Sequence, residues 1–138
     1  MFFGNNCCLT AQIFNNFLKN IPLTVQALDF NLKSTIADNV FCKSISKMLK
    51  RCKRLKWIKF DLSLTFVNEI GIISIVSELK KQKKLECLTL NLKATDIGNA
   101  KTLKFVLQGL LTLNKKLSFK TDYRKLRDLA RVIKPKKK

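Results

Sequence analysis

The sequence predicts an α/β solenoid of about three strand-helix units with parallel strands and a helical cap at each end. Three observations predict it. Three segments superimpose at an offset of 30 residues. Each alternates apolar with other residues at period two, as a strand does, and each leads into a stretch of helical periodicity. Neither element buries its apolar face alone, so the units must stack.

The elements follow in order. Phe14, Phe17, Leu18 and Ile21 form an apolar stripe, and residues 1–22 are assigned to an N-terminal cap helix. Val25-x-x-Leu28-x-Phe30-x-Leu32 is the first strand, and Val40, Phe41, Ser44, Ile45, Met48 and Leu49 line one side of its helix. Leu55-x-x-Ile58-x-Phe60-x-Leu62 repeats the strand and leads to Ile72, Ile75, Val76 and Leu79 at i, i+3, i+4, i+7. Leu85-x-x-Leu88-x-Leu90-x-Leu92 repeats it again, before Leu103, Val106, Leu107 and Leu110. A weaker fourth strand around Leu117 and Phe119 lies 29 residues after Leu88 and Leu90. It closes a repeat region spanning residues 23–121. Tyr123, Leu126, Leu129, Ala130 and Ile133 then give a C-terminal cap helix over residues 122–133, followed by a basic tail at 134–138.

Runs such as Cys52-x-x-Leu55-x-x-Ile58-x-Phe60-Asp61-Leu62, and Asn91-Leu92 leading to Ile97-Gly98, resemble the leucine-rich repeat family. The resemblance is to its longer, ribonuclease-inhibitor-like type and to the variant repeats common in large ciliate proteins. It implies a non-catalytic scaffold that recognises a macromolecule, usually a protein, through the concave strand face or an edge. The family's asparagine after the last strand leucine is replaced by Lys33, Ser63 and Lys93. That replacement predicts loss of the side-chain ladder that closes the turn.

Composition bounds the function. With 138 residues and 46% hydrophobic content the chain makes one soluble domain with an ample core, and no stretch is long and apolar enough to cross a bilayer. Five cysteines, including the adjacent Cys7 and Cys8, show neither metal-ligand nor framework spacing. This argues for a reducing, intracellular compartment, with cytoplasm preferred and an organelle left open. Asn5, Asn6, Asn15 and Asn16 interrupt the first apolar residues and make a poor secretory signal. With no histidine, nine scattered carboxylates and four glycines, neither an acid/base pair nor a phosphate-cradling loop can be written. The expectation is a non-enzyme with no cofactor, no metal and no small-molecule substrate.

In a parallel stack the odd strand positions form columns: Asp29, Lys59, Thr89, Ser118; Asn31, Asp61, Asn91, Lys120; and Ala27, Trp57, Cys87, Lys116. Asp29, Trp57, Lys59, Asp61, Thr89 and Asn91 are therefore the candidate concave-face contacts. Trp57, the single tryptophan, is either an outward anchor or packed beneath a neighbouring loop, with burial slightly preferred.

Net charge is the second strong signal: 28 Lys and Arg against 9 Asp and Glu give +19. Lys50, Arg51, Lys53 and Arg54 precede the second strand, and Lys80, Lys81, Lys83 and Lys84 precede the third at the same offset of 30. Stacking makes these like-charged pairs on one rim, with repulsion of roughly 0.8 kcal/mol per pair in water at strand spacing. Helix C-termini offset it by about 0.3–1 kcal/mol per cation. The surplus continues through Lys115, Lys116, Arg124, Arg127, Arg131 and the tail, and a polyanion partner is the expectation. No sequence-reading DNA motif is present, and the phenylalanines occupy core positions, so base reading and stacking are disfavoured. The chain is thus expected to be a binding subunit of a larger assembly, among other protein subunits. A particle containing structured RNA is slightly preferred as its acidic partner. An acidic protein surface, for example the tails of microtubules, or a partner on the concave face is the alternative, and a membrane is a distant third.

Overall fold

The computed structural model describes residues 2–3, 10–98, 101, 104, 108–109 and 116–120. Its elements alternate along the chain: β1 (Phe2–Phe3), α1 (Ala11–Lys19), β2 (Ala27–Asn31), α2 (Asn39–Arg51), β3 (Trp57–Asp61), α3 (Glu69–Leu79), β4 (Cys87–Asn91) and β5 (Lys116–Lys120). The five strands form one parallel sheet in sequence order. Leu28 pairs with Ile58 and Ile58 with Leu88, and Phe30, Phe60 and Leu90 align likewise. The 30-residue offset is therefore the register of the sheet. Lys101, Lys104, Gln108 and Gly109 are helical, whereas Leu103, Val106, Leu107 and Leu110 lie outside the described residues, as do the assigned cap helix at 122–133 and the tail.

β2, β3 and β4 each alternate a buried residue with a more exposed one, because the helices cover only one sheet face. The core lies between the two layers and is built by Leu28, Phe30, Ile58, Phe60, Leu88 and Leu90 from the strands and Phe14, Phe41, Ile45, Met48, Ile75 and Leu79 from the helices. The phenylalanines pack on one another: Phe30 stacks on Phe60 at 5.5 Å, and Phe14 on Phe41 at 5.0 Å. In α2 the apolar stripe is rotated from the one the spacing predicts. Cys42 and Ser46 are buried, while Val40 is 55% exposed and Ser44 only half-buried. Val40 lies in the first turn of α2, at the edge of the interface with α3, so counting it as core is corrected.

Helix starts are fixed by side-chain caps. Thr10 accepts from the amide of Ile13, Asp38 from that of Val40, and Asn68 from that of Ile70. Gly71 brings α2 and α3 close together, since a Cβ there would meet Asn39 and the Cys42 sulfur.

The turn after each strand is closed differently from the expectation. Ser34, Leu64 and Ala94 take φ of 58°, 55° and 51°, a left-handed conformation that non-glycine residues resist. Two columns of side chains hold it. Asn31, Asp61 and Asn91 accept from the amides of Lys33, Ser63 and Lys93. The buried Thr35, Thr65 and Thr95 donate their hydroxyls to the carbonyls of Leu32, Leu62 and Leu92 at 2.7, 2.6 and 3.0 Å. A threonine ladder therefore stands where loss of the asparagine predicted none.

The N-terminal assignment also changes. Residues 1–22 are not a helix throughout: Phe2–Phe3 is a short strand whose residues pair with Asp29 and Phe30. A parallel sheet leaves unpaired amides and carbonyls along its first edge, and a β-favouring Phe-Phe pair takes them up. Among the described residues no helix is long and apolar enough to cross a membrane.

Candidate functional site

Three surfaces carry the side chains of interest: the rim where helices return to strands, the open face of the sheet, and the rim where strands lead into helices. The first holds the predicted cations. Lys50, Arg51, Lys53 and Arg54 occupy the end of α2 and its connection to β3, and Lys80, Lys81, Lys83 and Lys84 occupy the equivalent place after α3. All eight are exposed, and the register puts the two sets side by side.

Part of this charge is internally engaged. Glu78, only 6% exposed, lies 3.1 Å from the Lys81 amine and 3.9 Å from that of Lys50. One buried carboxylate thus sits between like charges from neighbouring units, a relief of their repulsion that sequence spacing did not reveal. Arg51 donates from Nη2 to the Leu18 carbonyl at 2.8 Å and from Nη1 to that of Lys19 at 3.3 Å. It satisfies the end of the preceding helix rather than its own. Gln82 does the same one unit on, donating to the Leu49 carbonyl at 2.7 Å. Lys53, Arg54, Lys83 and Lys84 are exposed cations within the connections themselves. Beside it, between α1 and α2, lies a groove of about 220 Å³ with Leu18 and Met48 in its lining and Lys19, Lys47 and Arg51 around it. Lys115, Arg124, Arg127 and Arg131 lie outside the described residues, and Lys116 is placed only as the register partner of Cys87.

The open sheet face carries the predicted columns in the predicted register. Asp29 pairs with Lys59, Lys59 with Thr89 and Thr89 with Ser118, while Ala27, Trp57, Cys87 and Lys116 align beside them. Trp57 is 37% exposed on this face. The preference for burial is thereby corrected: Trp57 shares the strand parity of Lys59 and Asp61, and that parity points away from the helices. Asp61 and Asn91 are present on the face but half-buried, each with a side-chain oxygen committed to its own turn. Asp29, Trp57, Lys59 and Thr89 remain as its available contacts.

The third surface was missed by sequence reasoning. Ile36, Leu64 and Phe66, from the turns after β2 and β3, and Val40 and Ile70, from the first turns of α2 and α3, are 52–66% exposed. The amide of Phe66 donates to the Ala37 carbonyl, and α2 and α3 are joined at their starts by the Asn39–Asn68 side-chain bond, so these residues share one rim. Their signal was available as apolar residues falling between the strand and helix periods.

Burial, and then the Asp38 carboxylate, push the Cys42 thiol up to about 12, leaving it protonated and unreactive at neutral pH. Burial raises Cys52 as well, with Arg51 and Lys53 opposing. Among the described residues no three His, Cys, Asp or Glu side chains gather as a metal site.

No family model matches the chain, and no curated protein matches its sequence. Its fold is similar to that of the solved structure titled leiomodin-1 actin-binding site 2, with a TM-score of 0.65 and 19% identity over 94% of this chain and 77% of that one. The likeness is one of architecture: an α/β, leucine-rich-repeat-like fold with an open parallel sheet.

Proposed function

We propose that this chain is a non-catalytic protein-binding module of solenoid construction, ribonuclease-inhibitor-like in its repeats, which docks its basic rim on an acidic protein surface within a larger assembly. The strand-helix units of residues 23–121 form its body, and α1 with β1 closes its first end. One observation carries the reading: a 30-residue register sets eight exposed cations from two units along a single rim. A protein partner takes precedence over RNA because the solved structure of similar fold is titled as a binding site for a protein, actin. The lysines themselves would serve a phosphate backbone equally well. The groove beside Arg51 offers room for an acidic side chain of the partner.

The test is replacement of Lys80, Lys81, Lys83 and Lys84 by Gln, with association measured on what copurifies at low salt. Exposed ion pairs contribute about 0.2–1 kcal/mol each, so four should weaken binding roughly fourfold or more and flatten its salt dependence. Unchanged affinity would remove the rim from the reading. Release of the partner by nuclease would replace the acidic protein by RNA. The exposed Trp57 favours a second reading, in which the sheet face is the site. In that case Trp57→Ala abolishes binding while the lysine variant is silent.

A further inference from the structure

The rim opposite the cations holds five large apolar side chains, and the fold does not require them. Phe66 is 63% exposed, Ile70 66%, Ile36 56%, Val40 55% and Leu64 52%. The equivalent position to Leu64 is Ser34 in the unit before and Ala94 in the unit after, and the equivalent to Ile36 and Phe66 is Asp96. Small and charged residues therefore satisfy the same backbone, with the same left-handed turn at Ser34 and Ala94. Leaving adjoining side chains of this size in water is unfavourable, and a contiguous apolar patch on a polar surface marks an interaction site.

The charges around the patch select its occupant. Two nearby carboxylates are half-buried and engaged by backbone amides of the rim: Asp38 accepts from the Val40 amide at 3.0 Å, and Glu69 from the Gly98 amide at 2.8 Å. Among the described residues Lys33, Lys43 and Lys93 are exposed around it, and Asp96 is the exposed carboxylate at its far end. A second copy of this chain is disfavoured, because each copy carries a net charge of +19. We infer that this rim is a second docking surface, which takes an apolar segment of an acidic protein: large aliphatic or aromatic side chains on the patch, carboxylates toward the flanking lysines. It is separate from the basic rim and does not depend on it.

The probe is a fluorescently labelled 18-residue synthetic peptide, designed as a helix with leucines on one face and glutamates on the other. A scrambled peptide of identical composition removes the contribution of charge alone. Fluorescence anisotropy on the full chain should give at least about tenfold tighter binding of the amphipathic peptide than of the scrambled one. That ratio should fall toward one in Phe66→Ser with Ile70→Ser, and independently in Ile36→Ser with Val40→Ser. It should stand in the variant with Lys80, Lys81, Lys83 and Lys84 replaced by Gln, which separates this surface from the basic rim. Urea unfolding confirms that each variant is folded. A ratio near one in the unaltered protein, or one that both pairs of serine variants leave intact, would overturn the inference. So would a dimer of the unaltered protein that Phe66→Ser with Ile70→Ser dissociates, since a second copy would then cover the patch.

Discussion

Thr65→Val examines the ladder that closes the turns. Valine keeps the shape of threonine and removes only the hydroxyl, which donates to the Leu62 carbonyl at 2.6 Å. Thr65 is 4% exposed and Leu62 0%, so water does not replace the lost donor. A buried carbonyl left without its partner costs about 1–3 kcal/mol, and the added methyl returns at most about 0.8 kcal/mol of burial. The expected loss is therefore about 0.2–2 kcal/mol. Urea unfolding followed by circular dichroism measures it, with the midpoint lowered and the slope unchanged. The left-handed Leu64 lies between the two partners of this bond, so Thr65→Ser, which keeps the hydroxyl and drops the methyl, should lose less. A Thr65→Val protein as stable as the parent would refute the ladder, as would one more stable than Thr65→Ser.

Two further outcomes are expected. Gly71→Ala gains about 1 kcal/mol of helix propensity but forces its Cβ onto Asn39 and within 2.9 Å of the Cys42 sulfur. A net loss of roughly 1–2 kcal/mol in urea unfolding follows, and it should shrink in an Asn39→Ala background. In the folded protein at pH 8, iodoacetamide followed by peptide mass spectrometry should find the half-exposed Cys87 modified and Cys42 unmodified. Burial disfavours the thiolate, so Cys42 gains reactivity only as pH rises toward about 12 or the chain unfolds.

What was legible in the sequence was whatever repeats. Val25, Leu55 and Leu85 and their followers gave the strands, and with them the register and the columns of the open face. The basic rim followed from the same offset, because position in a stacked unit is position in space. Less legible were features that link one unit to the next. Glu78 between Lys50 and Lys81, and Arg51 on the carbonyls of α1, are contacts between units that no single unit displays. The threonines at 35, 65 and 95 did recur at 30 residues. The family's asparagine belongs two positions earlier, at 33, 63 and 93, yet a hydroxyl satisfies a turn carbonyl equally well. Trp57 was decidable from parity alone, since Ile58 and Phe60 point inward and their neighbours must not. The apolar rim escaped for the opposite reason: Ile36, Leu64 and Phe66 fall outside both periods, and periodicity assigns such residues to no face.

Among the described residues, backbone hydrogen bonds join the strand-to-helix turns of consecutive units: Leu32 to Asp61, Leu62 to Asn91, Ser34 to Ser63 and Leu64 to Lys93. A duplicated block of 30 residues spliced between β3 and β4 would meet the same donors and acceptors above and below that its neighbours already offer. The architecture can therefore lengthen by whole modules without redesign, whereas inserting a single residue inside a strand would swap its inward and outward side chains and break every rung it touches.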